Sequence, residues 1–305
     1  MSDLRIGLVG LGTIARAQHL PAIEATAGMV LTDVASRNAQ AEGVANHPDV
    51  DALLAAGGVD AVSLCTPPQG RFDQAMSVLR ANRHLMLEKP PGATLSELEL
   101  LAAEAKSRGL TIFATWHSRE AAAVDACRDW LAGRTLRRTH IDWSEDVRKW
   151  HPGQQWIWQA GGLGVFDPGI NALSILTAVL PAPARMVGAE LHVPSNCQTP
   201  IAADLVMDAG HPVTARLDWR QQGADIWQIR FETDAGTAIL SEGGARLTID
   251  GTEIQSGGNR EYARLYSRFG DLVARGDSDF DLAPLRLVAD AFMNGRIHAA
   301  PEFQD

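Results

Sequence analysis

In the first third of the chain, short apolar runs alternate with stretches whose apolar positions recur at helical spacing. Leu4-Arg5-Ile6-Gly7-Leu8-Val9 is strand-like and ends in glycines, and the spacing predicts a helix over about 14–25. Strand candidates follow at 29–35, 59–65, 84–87 and 110–114. Helical periodicity fills 72–81 and 95–108 between them. Thr66-Pro67-Pro68 stops the third strand and Pro90-Pro91 stops the fourth. Strands alternating with helices at this spacing predict a parallel sheet covered on both faces.

The pattern changes near residue 118. A helix is expected over 121–131 and a strand over 139–143. A tryptophan-rich loop with Trp150, Trp156 and Trp158 comes next, broken by Gly161-Gly162-Leu163-Gly164, and a helix opens near Asp167. From about 185 to 257, strand-like runs at 186–193, 202–207, 213–219, 227–232, 236–241 and 245–249 are separated by turns, which predicts an antiparallel sheet. A helix over 282–293 is expected to close the chain. The expected architecture is an α/β Rossmann domain over 1–118, followed by an α+β domain over 119–305 with a large, mostly antiparallel open sheet. The second domain is expected to bind substrate and to oligomerise.

Composition narrows the function. A chain of 305 residues with 46% hydrophobic and 21% charged residues is long enough for two cores. The net charge of −10 argues against a nucleic-acid partner, which requires a basic footprint. Cys65, Cys127 and Cys197 are odd in number and widely spaced, which suggests neither a disulfide framework nor a zinc site. No apolar run reaches the roughly 18 residues of a membrane span. A cytoplasmic protein with no membrane contact and no metal is expected.

Gly10-Leu11-Gly12-Thr13-Ile14-Ala15 matches the dinucleotide fingerprint G-x-G-x-x-A between a strand and a helix. Its first glycine permits the tight turn, its second lets the backbone approach a pyrophosphate, and Ala15 permits close packing of helix on strand. The acid that holds a ribose hydroxyl in such folds is expected about twenty residues on, and Asp33 stands near that spacing. The strand runs to Ala35, however, and side chains alternate along it, so Asp33 and Ser36 point to opposite sides. Ser36 is therefore expected in the acid's place, with Arg37 free to pair with a 2′-phosphate or to remain a solvated loop charge. NADP or NAD is the expected cofactor, with NADP favoured.

Further candidates lie at strand and helix ends. Glu88-Lys89-Pro90 follows a strand, where ligands bind in open α/β sheets. Asp167-Pro168-Gly169-Ile170-Asn171 opens a helix, with Asp167 and Asn171 four apart on one face. Pro168 suits the first helical position, so Asp167 is read as general base, as N-cap, or as both. Asn171 cannot titrate but can donate and accept hydrogen bonds.

With these motifs, and with His19-Leu20-Pro21-Ala22 on the first helix, the chain resembles the glucose-fructose oxidoreductase / inositol dehydrogenase family (Gfo/Idh/MocA) over nearly its whole length. Within that family it resembles the bacterial aldose 1-dehydrogenases of L-arabinose and D-galactose, which also carry asparagine where most members have a histidine after D-x-x-x. Asn171 thus excludes carrying over the aspartate–histidine relay of that motif. Gln69-Gly70-Arg71 is a second departure, because many members have a histidine there.

The resemblance implies oxidation of an aldopyranose at C1 to the lactone, with Lys89 on the reacting hydroxyl, Asp167 as base and Asn171 on a sugar hydroxyl. It implies a cofactor site of Gly10, Gly12, Thr13, Ile14, Ser36, Arg37, Thr66, Pro67, Glu88 and Lys89. Glu88 is expected to partner backbone or the lysine. Lys89 and the carboxylate of the second half are expected to meet beside the nicotinamide. Sugar contacts are expected from His117, Glu145, Trp150 and His151 together with Asp167 and Asn171, although several tryptophans are equally suited to the core. The resemblance also implies a homodimer or homotetramer formed through the second domain's sheet. Oxidation of an inositol or another ring hydroxyl, and a non-catalytic cofactor-binding regulator, are the alternatives.

Overall fold

A computed structural model of the chain describes residues 3–304. The chain forms two compact units. One comprises the chain up to His117 together with Arg260–Leu282, and the other comprises Ser118–Asn259 and the chain from Ala283 on. A single crossing at 118, as expected from the sequence, does not describe this path, because the chain returns to the first unit before finishing in the second.

The first unit begins with β1 (Leu4–Val9), a π-helical turn Ala15–His19, α1 (Leu20–Ala25) and β2 (Met29–Ala35). A short β3 (Ala45–His47) and α2 (Val50–Ala56) follow, neither expected from the sequence. Then come β4 (Ala61–Leu64), α3 (Arg71–Arg80), β5 (His84–Glu88), α4 (Leu95–Arg108) and β6 (Ile112–Thr115). The six strands lie in the order β3-β2-β1-β4-β5-β6, all parallel. This is the doubly wound order, in which the chain winds outward in opposite senses from β1 and from β4, and ligands bind at the crevice between them.

In the second unit, α5 (Val124–Leu131), β7 (Leu136–Ser144), α6 (Val147–Trp150) and α7 (Phe166–Val179) precede a run of strands. These are β8 (Arg185–Pro194), β9 (Ala202–Asp208), β10 (Pro212–Asp218), β11 (Ile226–Thr233), β12 (Gly236–Ser241), β13 (Arg246–Ile249) and β14 (Thr252–Ser256). α8 (Glu261–Arg275) belongs to the first unit, and α9 (Ala283–Asn294) and β15 (Gly295–Ala300) return to the second. The nine-stranded sheet has the order β14-β13-β12-β11-β7-β10-β9-β8-β15. It is mostly antiparallel, with parallel pairs β7–β10 and β8–β15. From Ala203 to Asp208 burial alternates residue by residue along β9, as required of a sheet with one covered face. α7 packs against β7 and β11, and α9 against β8. α7 is apolar almost all round, which suits a helix buried between sheet and neighbouring helices.

α8 shows why the first unit needs the returning segment. Tyr262, Leu265, Tyr266, Phe269 and Leu272 recur at helical spacing and are all buried. They enter one core with Ile6, Leu8, Ile23, Met86 and Phe113, and Phe269 stacks on Phe113 with ring centroids 6.1 Å apart. Each such side chain contributes about 1.5–3 kcal/mol by leaving water. Among the described residues, no helix is long and apolar enough to cross a membrane, and no group of three or more His, Cys, Asp or Glu could hold a metal ion.

Candidate active site

The fingerprint loop leaves β1 at the crevice. Gly10 has φ +92°, and a Cβ there would come within 3.0 Å of the backbone of Cys65 and Thr66, so a side chain is excluded on both counts. A Cβ on Gly12 would meet nothing within 4 Å. Gly12 thus borders open space, a cavity of about 550 Å³ lined by Leu11, Gly12, Thr13, Arg16 and Ala17. Thr13, which lines it, and the neighbouring Ile14 are both exposed. Backbone donors at the start of a helix beside a cavity of this kind suit a pyrophosphate. These residues therefore fit a nicotinamide dinucleotide.

At the end of β2, Asp33 is buried and its Oδ1 lies 2.7 Å from His47 Nε2. The carboxylate faces β3. Ser36 is half-buried, its backbone N–H donates to the His47 carbonyl at 3.0 Å, and Arg37 is exposed.

After β4, Thr66 Oγ1 donates to Gln74 Oε1 at 2.8 Å, and Pro67 is exposed. Arg71, a departure from the family pattern, is buried at 2% exposure. Its guanidinium donates to the carbonyls of Thr66, Glu88 and Pro90. Two of these carbonyls flank Lys89, so Arg71 ties the loop after β4 to the backbone on both sides of the lysine. Burial pulls the Arg71 pKa down to about 10, with Glu88 pulling the other way, and the group stays cationic near neutrality. Lys89 itself is half-buried, and its peptide bond to Pro90 is cis.

Glu88 does not partner the lysine. Its carboxylate turns into the first unit's core, where Tyr262 Oη donates to Oε1 and His19 Nε2 lies 3.3 Å away. His19 Nδ1 is 2.8 Å from Tyr266 Oη, which also donates to Ser63 Oγ at 3.3 Å. Burial favours neutral Glu88, but the His19 hydrogen bond and charge override it and hold the carboxyl at about 2. Burial likewise opposes charge on His19, yet its pKa is raised well above the usual imidazole value by the surrounding Cys65, Tyr266 and Glu88. Tyr262 remains a phenol, pushed up by burial and by Glu88. His117 belongs to the same group: its Nδ1 lies 2.5 Å from Glu261 Oε2, and its ring stacks on Tyr262.

In the second unit, the N-cap of α7 is Val165, and Asp167 stands inside the first turn. The N-cap position inferred from Pro168 is thus two residues late. Asp167 is buried at 4% exposure, and its Oδ2 lies 3.4 Å from His151 Nε2. A histidine from the tryptophan-rich loop therefore reaches the carboxylate, although position 171 is asparagine. His151 Nδ1 is 3.3 Å from Gln154 Oε1, and its ring lies 5.3 Å from Trp219. Asn171, one turn after Asp167, is half-buried.

Glu145 is buried, with Trp219 Nε1 donating to one carboxylate oxygen at 3.3 Å and Trp227 Nε1 to the other at 2.8 Å. The sequence marks Glu145 as a sugar contact, and the structure gives it two indole partners. Trp150 is 44% exposed, with Trp227 at 5.6 Å between centroids and Lys149 Nζ 4.6 Å from its ring centre. Trp143, Trp158 and Trp219 are core residues. Sequence reasoning assigned no role to Arg71, His19, Tyr262, Tyr266, Trp219 or Trp227. The apolar spacing of α8 was a usable signal for the two tyrosines, and His19 and Arg71 stood in segments already marked by the family resemblance; Trp219 and Trp227 carried no such mark.

The fold and the glycine cradle define a dinucleotide-binding Rossmann unit. Residues 4–115 match the oxidoreductase family with NAD-binding Rossmann fold (GFO_IDH_MocA). Over 309 aligned residues, spanning the whole of both proteins, the chain is 46% identical to galactose 1-dehydrogenase of Pseudomonas fluorescens. The crystal structure of D-galactose-1-dehydrogenase from Rhizobium etli superposes with a TM-score of 0.97 at 51% identity, covering 100% of this chain and 99% of that one. A 3-ketoreductase from Actinomadura kijaniata in complex with NADP shares the fold at a TM-score of 0.86 and 20% identity, covering 98% of this chain and all of that one. The chain belongs to the Gfo/Idh/MocA oxidoreductase family.

Proposed function

We propose that this chain is an NAD(P)-dependent aldose 1-dehydrogenase that oxidises D-galactose at C1 to the aldonolactone and also accepts L-arabinose. Full-length similarity to galactose 1-dehydrogenases carries the reading. It is supported by a buried carboxylate paired with an imidazole among indoles in the second unit. L-arabinose shares the ring hydroxyl pattern of D-galactose except at the C5 substituent, so a site for one suits the other.

A bound nicotinamide would supply the hydride acceptor for C1. Asp167 takes the C1 hydroxyl proton, with His151 beside it to orient the carboxylate and share the proton's charge. Lys89 holds the reacting oxygen. Asn171 fixes a ring hydroxyl through its amide. Trp150 offers an indole face to the sugar's C–H surface, and Glu145 keeps Trp219 and Trp227 in place.

Ser36 and Arg37 take the 2′-phosphate, which makes NADP the favoured cofactor. Gly10, Gly12, Thr13, Ile14, Thr66 and Pro67 line the dinucleotide. The uncovered face of the second unit's sheet, where Val187 and Val206 are about half exposed, serves self-association; light scattering in solution tests that assignment.

Initial rates across sugars with each cofactor test the whole reading. Reduced nicotinamide is expected to form with D-galactose and L-arabinose, faster with NADP, and not with myo-inositol. Preferential turnover of myo-inositol overturns the assignment of the reacting centre.

A further inference from the structure

We infer that the segment after β15 is a strap for the tryptophan-rich loop, and that Phe303 is a positioning residue for the His151–Asp167 pair. The inference rests on the role proposed for that pair. Asn196 grips the backbone of Phe303 from both sides: its Nδ2 donates to the Phe303 carbonyl at 2.8 Å, and its Oδ1 accepts the Phe303 N–H at 3.0 Å. The half-buried Phe303 ring then lies 4.7 Å from Trp158. Trp158 meets Trp219 edge-on at 5.2 Å, Trp219 lies 5.3 Å from His151, and His151 reaches Asp167. An unbroken series of ring contacts thus runs from the strap to the carboxylate.

A second set of contacts holds the same loop. Gln198 donates its backbone N–H to the Trp158 carbonyl at 2.9 Å and accepts the Ala160 N–H on Oε1 at 2.6 Å. Thr199 Oγ1 donates to the Ile157 carbonyl at 2.8 Å. The turn after β8 therefore fastens the strap with Asn196 and the loop with Gln198 and Thr199. Gly162 shows how closely the loop folds on itself, because a Cβ there would lie 2.4 Å from the Ile157 carbonyl oxygen. The Arg148 guanidinium, 6.0 Å from the Phe303 ring centre, adds a tie to α6, which leads directly into His151.

Removing the ring at 303 leaves Trp158 without a partner on one side, and the slack passes through Trp219 to the imidazole. The glycine cradle for the cofactor is built from residues of the other unit, none of which belongs to this series. Phe303→Ala and Phe303→Tyr are compared with the wild type in kinetics, in NADP affinity and in ¹⁹F spectra of protein labelled with 5-fluorotryptophan. Trp158→Phe and Trp219→Phe assign the resonances. The expected result for Phe303→Ala is a kcat/KM for D-galactose lower by about tenfold to a hundredfold. NADP affinity is expected to be unchanged, the Trp158 and Trp219 resonances shifted, and kinetics and spectra restored in Phe303→Tyr.

Unchanged kinetics in the alanine variant, or an unmoved Trp219 resonance, overturns the inference. So does a parallel loss of sugar turnover and NADP binding, which marks general unfolding. If the wild type itself does not oxidise D-galactose, the function reading fails separately, and the Trp219 resonance in Phe303→Ala alone decides the strap.

Discussion

His151 Nε2 and Asp167 Oδ2 lie 3.4 Å apart, although one residue comes from the loop after α6 and the other from the first turn of α7. The family's usual histidine position, four residues after the aspartate, is Asn171 here. A carboxylate–imidazole pair is nevertheless present, assembled from a different part of the chain.

Asp167→Asn tests the pair directly. The amide keeps the shape and loses the proton acceptor, so kcat is expected to fall by about 10²–10⁴-fold with the melting temperature little changed. A variant that melts early but turns over normally assigns Asp167 to α7 stability instead.

Lys89→Ala is expected to abolish turnover while NADP still binds, measured as quenching of tryptophan fluorescence by the reduced cofactor. Normal turnover removes Lys89 from the reaction.

Arg37→Ala is expected to weaken NADP by roughly tenfold or more and NAD hardly at all, as a lost charge-assisted hydrogen bond of about 1.5–3 kcal/mol requires. Equal losses for both cofactors exclude a contact with the 2′-phosphate.

Arg71→Met leaves three carbonyls without their donor, two of them beside Lys89. Each unsatisfied buried carbonyl costs about 1–3 kcal/mol, so a clear drop in the urea midpoint is expected. A drop in kcat larger than any change in NADP affinity is expected with it, because the lysine backbone loses its clamp. Unaltered stability shows that water replaces the guanidinium.

The buried His19–Glu88 contact makes stability depend on pH in a defined sense. The Glu88 pKa is depressed from 4.5 to about 2, so its contribution is complete above 4.5 and is lost as the pH falls toward 2. The His19 pKa is raised above 6.5, so its contribution is complete below 6.5 and is lost as the pH rises through the elevated value. Both contributions coexist fully between 4.5 and 6.5. The unfolding free energy of the wild type relative to Glu88→Gln is expected to be largest in that window and to shrink on either side. A pH-independent difference shows that no charge separates the two residues.

Local patterning went far in this chain. The expected ranges 29–35, 95–108 and 236–241 coincide with β2, α4 and β12, because each element is bounded by its own turn residues. α2 and α8 were passed over, although Asp49 caps the former and the latter carries apolar residues at helical spacing. β15 was hidden, because an exposed edge strand has no alternation to read.

The sequence by itself determined the two kinds of sheet and the glycine cradle, which depend on neighbours within a few residues. Tertiary structure decided that His151 serves Asp167, that Glu145 is held by two indoles, that Glu88 turns inward to Tyr262 174 residues away, and that α8 rejoins the first unit. A hydrogen bond constrains only the two groups it joins and leaves no periodic trace along the intervening chain. Such pairings exist only once the packed core has fixed which backbones run side by side.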